Sequence, residues 1–131
     1  MEAYASATGV ARTAREFLEI RKDDSLLREL DPDEITSKDV YDAAMKNDKL
    51  ALEIVDFVGE TLGTALASIS CVFDPEVYVI GGGVSKAGQI LIDTVQKHFV
   101  DAAFHASEGT EFALAQLGND AGMYGAVKMV L

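Results

Sequence analysis

Between Asp74-Pro75 and Gly118-Asn119 the chain reads as strand, glycine turn, helix and strand, an order that constrains its fold more than any other feature. The run Val77 to Ile80 is β-branched and aromatic, as a buried strand requires. It ends in Gly81, Gly82 and Gly83, residues that open backbone conformations closed to others or let main chain approach a ligand closely. The segment SKAGQILIDTVQKHFVDAAF reads as a helix with Ser85 as N-cap and Leu91, Val95 and Phe99 on its apolar face. A second strand is expected from Phe112 to Leu117. Two strands joined by a helical crossover are predicted to lie parallel in one sheet, which places the chain in the α/β class. Both are apolar along nearly their whole length, so cover on both faces and further strand neighbours are expected. The chain therefore reads as part of a larger protein.

Upstream, Ala51, Ile54, Val55, Val58, Leu62, Ala65, Leu66 and Ile69 recur at three- and four-residue steps and predict one long, largely buried helix that Pro75 stops. Gly59 and Gly63 inside it point to a close crossing, because a mid-helix glycine costs about 1 kcal/mol. The opening EAYASATGVARTAREFLEI predicts a single helix whose first half is packed through small residues. RKDDSLLRELDPDEI reads as a solvated connection with one helical turn, and Thr36 and Ser37 compete to cap a short helix in which Asp39 complements the positive end. Asn119 or Asp120 is expected to cap the last helix, where Gly122 and Gly125 are read as packing positions.

Eleven basic against twenty-two acidic residues give a net charge of −11, which opposes binding to nucleic acid and to anionic membrane surfaces. Apolar runs stop short of membrane-spanning length and no signal segment is visible, so a cytoplasmic setting is expected. Cys71 is the lone cysteine and reads as an inert core residue, excluding an internal disulfide and a cysteine-built zinc site. His98 and His105 have no acidic or cysteine neighbour at ligand spacing and read as surface or capping residues. Gly81-x-Gly83-x-x-Lys86 misses the last glycine of a dinucleotide fingerprint, and no GxxxxGK[ST] loop is present. On pattern alone the three glycines are as compatible with a tight turn as with a ligand cradle, and Glu2 reads as an acid at a helix start.

Taken together, ETLGTALASISCVFDPEVYVIGGGVSKAG resembles the carboxyl-terminal region of the ROK family of sugar kinases and repressors, with its Gly-Thr-x-Leu-Ala helix, Asp-Pro stop and strand-glycine turn in that order. LGNDAGMYGAV is similar to the family's closing segment, and MEAYASATGVAR to the stretch just after its cysteine-rich zinc motif. The resemblance covers residues 1–131 and implies the carboxyl-terminal part of the second domain of an actin-like, ribonuclease H-like ATPase fold. It implies a glucokinase-type enzyme that uses ATP and Mg2+ to phosphorylate a sugar, most simply the glucose 6-hydroxyl, and a parent with structural zinc. Gly81, Gly82 and Gly83 would border the adenosine, Thr64 is a candidate to approach the nucleotide, and Glu2 would hydrogen-bond sugar hydroxyls. The phosphate loop, catalytic aspartate and zinc cysteines have no counterpart here, so the chain alone is expected to be inactive. Its expected partners are sugar, ATP, the upstream part of the same protein and, through open strand edges, further copies of itself. The alternatives are the effector domain of a ROK-type repressor and a free-standing α/β binding module.

Overall fold

The computed structural model describes residues 2–83, 87–116 and 120–130. The chain opens with two helices where one was expected, α1 (Glu2–Ala5) and α2 (Ala7–Ile20). Ser6 breaks them. Its backbone is extended, and its hydroxyl accepts the Gly9 N–H at 3.0 Å as the N-cap of α2. Gly9 lets α1 fold back on α2, since a Cβ there would lie 2.6 Å from the Ala3 carbonyl oxygen.

The connection to α3 (Ser37–Met45) is more than solvated chain. Two 3-10 turns, Leu26–Glu29 and Pro32–Glu34, insert Leu27 and Ile35 into the core. Arginines close the carbonyls this leaves unpaired: Arg15 donates to Pro32 O at 2.8 Å, and Arg28 to Asp23 O at 2.7 Å and Leu18 O at 3.1 Å. Thr36, of the two competing candidates, caps α3 in a reciprocal box with Asp39, whose carboxyl is held below its ordinary range by the Thr36 hydrogen bonds.

Helix α4 (Lys49–Phe73) starts at Asp48, the tie point of this half of the molecule. The Asp48 carboxylate accepts from Ala51 N at 2.9 Å, Ser25 Oγ at 3.0 Å and Leu26 N at 2.7 Å. Burial pushes its pKa up, but those hydrogen bonds to the charged form outweigh it, and the net shift is downward. Val10, Ala14, Val40, Leu50, Ile54 and Val58 from α2, α3 and α4 form the core. At the far end Asp74 takes a left-handed conformation (φ 42°, ψ 59°) as C-cap, directly before Pro75.

Helix α5 (Gln89–Ala102) crosses α4 at Gly59 and Gly63. A Cβ on Gly63 would meet Val95 O at 2.7 Å and Phe99 N at 2.8 Å, so the expected close crossing is a backbone-to-backbone contact. The N-cap position of α5 is Gly88 (φ 68°) and not Ser85, which lies outside the described residues with Asn119, one of the two caps proposed for the last helix.

Strands β1 (Val77–Ile80) and β2 (Glu111–Leu114) pair in parallel as expected, with Val77 opposite Glu111 and Ile80 opposite Leu114. Their inner face packs Tyr78 and Phe112 on Phe99 of α5, with ring centroids 6.0 and 5.1 Å from Phe99. The Tyr78 hydroxyl donates to Leu66 O at 3.0 Å, which leaves Ser70 Oγ, 2.9 Å away, to donate to Tyr78 in turn. On the outer face Val77 and Val79, read from the sequence as buried, are exposed within this chain. Cys71, expected in the core, is exposed as well. The closing helix α6 (Ala121–Val130) exposes Met123, Tyr124, Val127 and Met129.

Candidate functional site

The corner at the carboxyl ends of β1 and β2 is where an α/β sheet ordinarily meets its ligand. The ladder runs one bond past β2, with Ala115 N donating to Ile80 O at 2.8 Å. The chain then turns sharply. A Cβ on Gly81 would lie 3.3 Å from Ala115 Cβ, and one on Gly83 would lie 3.0 Å from Ala7 Cβ. Gly82, between them, has φ +81°, which favours glycine, and a Cβ there would meet nothing within 4 Å. The turn is therefore braced by small residues on two sides.

Ala7 is the first residue of α2, so the glycine turn abuts the junction of α1 and α2. Glu2 lies on α1, beyond that junction. The glycine turn thus touches the start of α2 at Ala7, and Glu2 lies on the preceding helix, some 75 residues earlier in the chain. Thr64 is exposed on α4, with its carbonyl accepting from the Ser68 hydroxyl at 3.1 Å.

A hollow of about 620 Å³ lies elsewhere, between α2, α4 and α5. Several of its charges are paired with one another or with neighbouring residues. Arg21 pairs with Glu53 and with Asp23 at 2.6 Å, while Asp56 receives His98 Nε2 at 2.8 Å and Lys97 Nζ at 3.4 Å. The His98 hydrogen bond, helped by Lys97 and opposed by burial, holds the Asp56 carboxyl below its ordinary range. His98 consequently has the acidic partner that sequence spacing did not reveal, because Asp56 approaches from another helix. His105 is the end-of-helix residue expected, meeting Glu108 Oε1 at 3.0 Å. Among the described residues no group of three or more His, Cys, Asp or Glu side chains could hold a metal ion, and no helix is long and apolar enough to cross a membrane.

Known proteins place this architecture. The chain is 43% identical over 127 residues to the glucokinase of Halalkalibacterium halodurans, covering 95% of this chain and 38% of that protein. It is 37% identical to the glucokinase of Thermotoga maritima, covering 99% of this chain and 42% of that protein. The structure of a ROK family glucokinase from Streptomyces griseus, in complex with glucose and AMPPNP, superposes with a TM-score of 0.86 at 28% identity, covering 98% of this chain and 43% of that one. The N-acetylglucosamine repressor of Escherichia coli matches a shorter stretch, 34% identical over 64 residues, covering 49% of this chain and 16% of that protein. The chain spans about two fifths of the length of the glucokinases it matches. The parallel strand pair and its helices are those of ROK sugar kinases, whose fold is the actin-like ATPase fold. The match to the ROK family runs over residues 1–131, and this chain belongs to that family.

Proposed function

We propose that the chain is the carboxyl-terminal part of the second domain of an ATP-dependent sugar kinase of the glucokinase type. The observation that carries the reading is the glycine turn at the ends of the strands, where Gly83 lies against Ala7 at the start of α2, the helix that follows the one bearing Glu2. An ionised carboxylate is acceptor-only and takes two hydroxyl protons at once, so Glu2 orients a polyol and does not itself react. The glycine turn, with Gly82 at φ +81°, borders the adenosine of ATP in this reading. The Streptomyces griseus relative is complexed with glucose and an ATP analogue, which supports this pairing of ligands. Phosphoryl transfer needs metal ions, charge stabilisation and a base for the attacking hydroxyl. The described residues show no metal-holding cluster, so no step through Mg2+ or zinc is assigned to them.

The test is a graft of this chain onto the upstream part of a ROK glucokinase. Glu2→Gln removes one acceptor oxygen, and sugar affinity and turnover should fall by about 1–3 kcal/mol while ATP affinity holds. Gly82→Asn tolerates positive φ but adds a side chain to the turn, and should weaken ATP more than sugar. Unchanged kinetics in both variants, or a graft that binds neither ligand, overturn the reading. A second reading, the effector domain of a ROK repressor, is favoured by the repressor match over half of the chain. Sugar binding by the graft without ATP turnover would select it.

A further inference from the structure

Helix α1 is a single turn of four residues, joined to α2 through the extended Ser6. A helix of this length does not hold itself in water, so tertiary contacts decide where it points. Those contacts converge on Arg12. Its Nη2 donates to Ala3 O at 2.5 Å, its guanidinium carbon stands 5.2 Å from the centre of the Tyr4 ring, and its Nε meets Glu16 Oε1 at 3.4 Å. Tyr4 in turn packs edge-on to Phe57 of α4, with ring centroids 5.9 Å apart. Gly9 completes the seat, since any side chain there would strike the main chain of Ala3 and Tyr4.

We infer that Arg12 is a positioning residue for sugar binding: by gripping the carbonyl of Ala3 and the ring of Tyr4 from α2, it fixes the place of Glu2, the residue before Ala3. This rests on the reading of Glu2 as the sugar-binding carboxylate. The planar guanidinium suits the task because one rigid fork donates along its edge and stacks through its face, which a lysine ammonium cannot do together. Helix α2 is itself anchored in the core through Val10 and Ala14, so the grip transfers the rigidity of the core to α1. The Arg12 side chain is 45% exposed, so its loss should leave the core packed.

In the grafted full-length enzyme, Arg12→Ala is expected to raise the sugar KM about tenfold, with kcat and the ATP KM changed by less than about twofold. Arg12→Lys should recover part of the sugar affinity, and Tyr4→Leu, which keeps an apolar contact on Phe57 but removes the ring, should shift the sugar KM in the same direction by less. In this chain itself, hydrogen exchange at the amides of residues 3–5 should accelerate in Arg12→Ala while the melting temperature moves little. The inference is overturned if Glu2→Gln raises the sugar KM and Arg12→Ala does not, or if Arg12→Ala lowers every kinetic parameter together with the melting temperature. If Glu2→Gln leaves the sugar KM unchanged, the reading of Glu2 fails first and the inference falls with it. Unaltered exchange in residues 3–5 overturns the grip whatever the kinetics show.

Discussion

Val58, in the middle of α4, is completely buried, whereas Val72 and Phe73 at the end of the same helix are 77% and 76% exposed. The difference divides the molecule. Around the first half of α4, helices α2 and α3 and the two 3-10 turns enclose a core, and Asp48 ties the first of those turns to the helix by hydrogen bonds. Around the second half, a two-stranded sheet covers its inner face with Tyr78, Phe99 and Phe112 but leaves Val77 and Val79 on the outer one, and α6 exposes four large apolar residues. Apolar surface of this extent marks an interaction site in a soluble protein. The same composition thus yields a finished core in one region and an unfinished sheet in the other.

Perturbations of close backbone contacts and buried caps should cost most. Gly63→Val must force the α4 and α5 backbones apart, and a loss of about 3 kcal/mol is expected in urea unfolding, more than the roughly 1 kcal/mol that replacing a mid-helix glycine restores. A neutral outcome would show the crossing to be looser than the contact implies. Asp48→Ala removes the cap of α4 and the anchor of the 3-10 turn together, and about 2 kcal/mol should be lost. That contribution also depends on pH. Since the folded-state pKa of Asp48 lies below its unfolded value, near pH 4, the stabilisation is complete above that value and drains as pH falls through the folded one. Acid unfolding followed by circular dichroism should accordingly become shallower in Asp48→Asn.

Smaller effects separate the regions further. Burial pushes the Tyr41 phenol up to about 12, and its hydroxyl, like that of Thr13, has no hydrogen-bond partner among the described residues. Tyr41→Phe should therefore leave stability unchanged or raise it by up to about 1 kcal/mol, because an unsatisfied buried group is removed at little loss of volume. A clear loss would reveal a partner for that hydroxyl. On the outer sheet face, Val79→Thr should shift stability by less than about 0.5 kcal/mol yet reduce light scattering by this chain at high concentration. Undiminished self-association would place the sticky surface elsewhere, with α6 the next to alter.

Local rules reached far along this chain. Periodicity located α4, Asp74-Pro75 ended it, Thr36 or Ser37 ahead of Asp39 opened α3, and strand composition with a helical crossover foretold the parallel pair. Each of these depends on residues a few positions apart. Ser6 escaped because serine within a run of small residues is compatible with helix, and only the return of α1 across Gly9 makes it a cap. Leu27 and Ile35 escaped because two apolar residues in a charged stretch carry no period. The site followed the same division: the turn was announced by three adjacent glycines, but Arg12 had no signal, as its partners matter only once α1 is folded back.

The residues by themselves determined α3, α4, the parallel strand pair, the glycine turn and membership of a family, because each rests on backbone chemistry or on side-chain order along the chain. Tertiary structure alone decided that Gly83 lies against Ala7, that Asp56 meets His98, that Cys71 faces outward and that one face of the sheet stays bare. The physical reason is that burial and pairing belong to two surfaces at once. A strand's composition shows that it can be covered, and only the packing shows whether anything covers it.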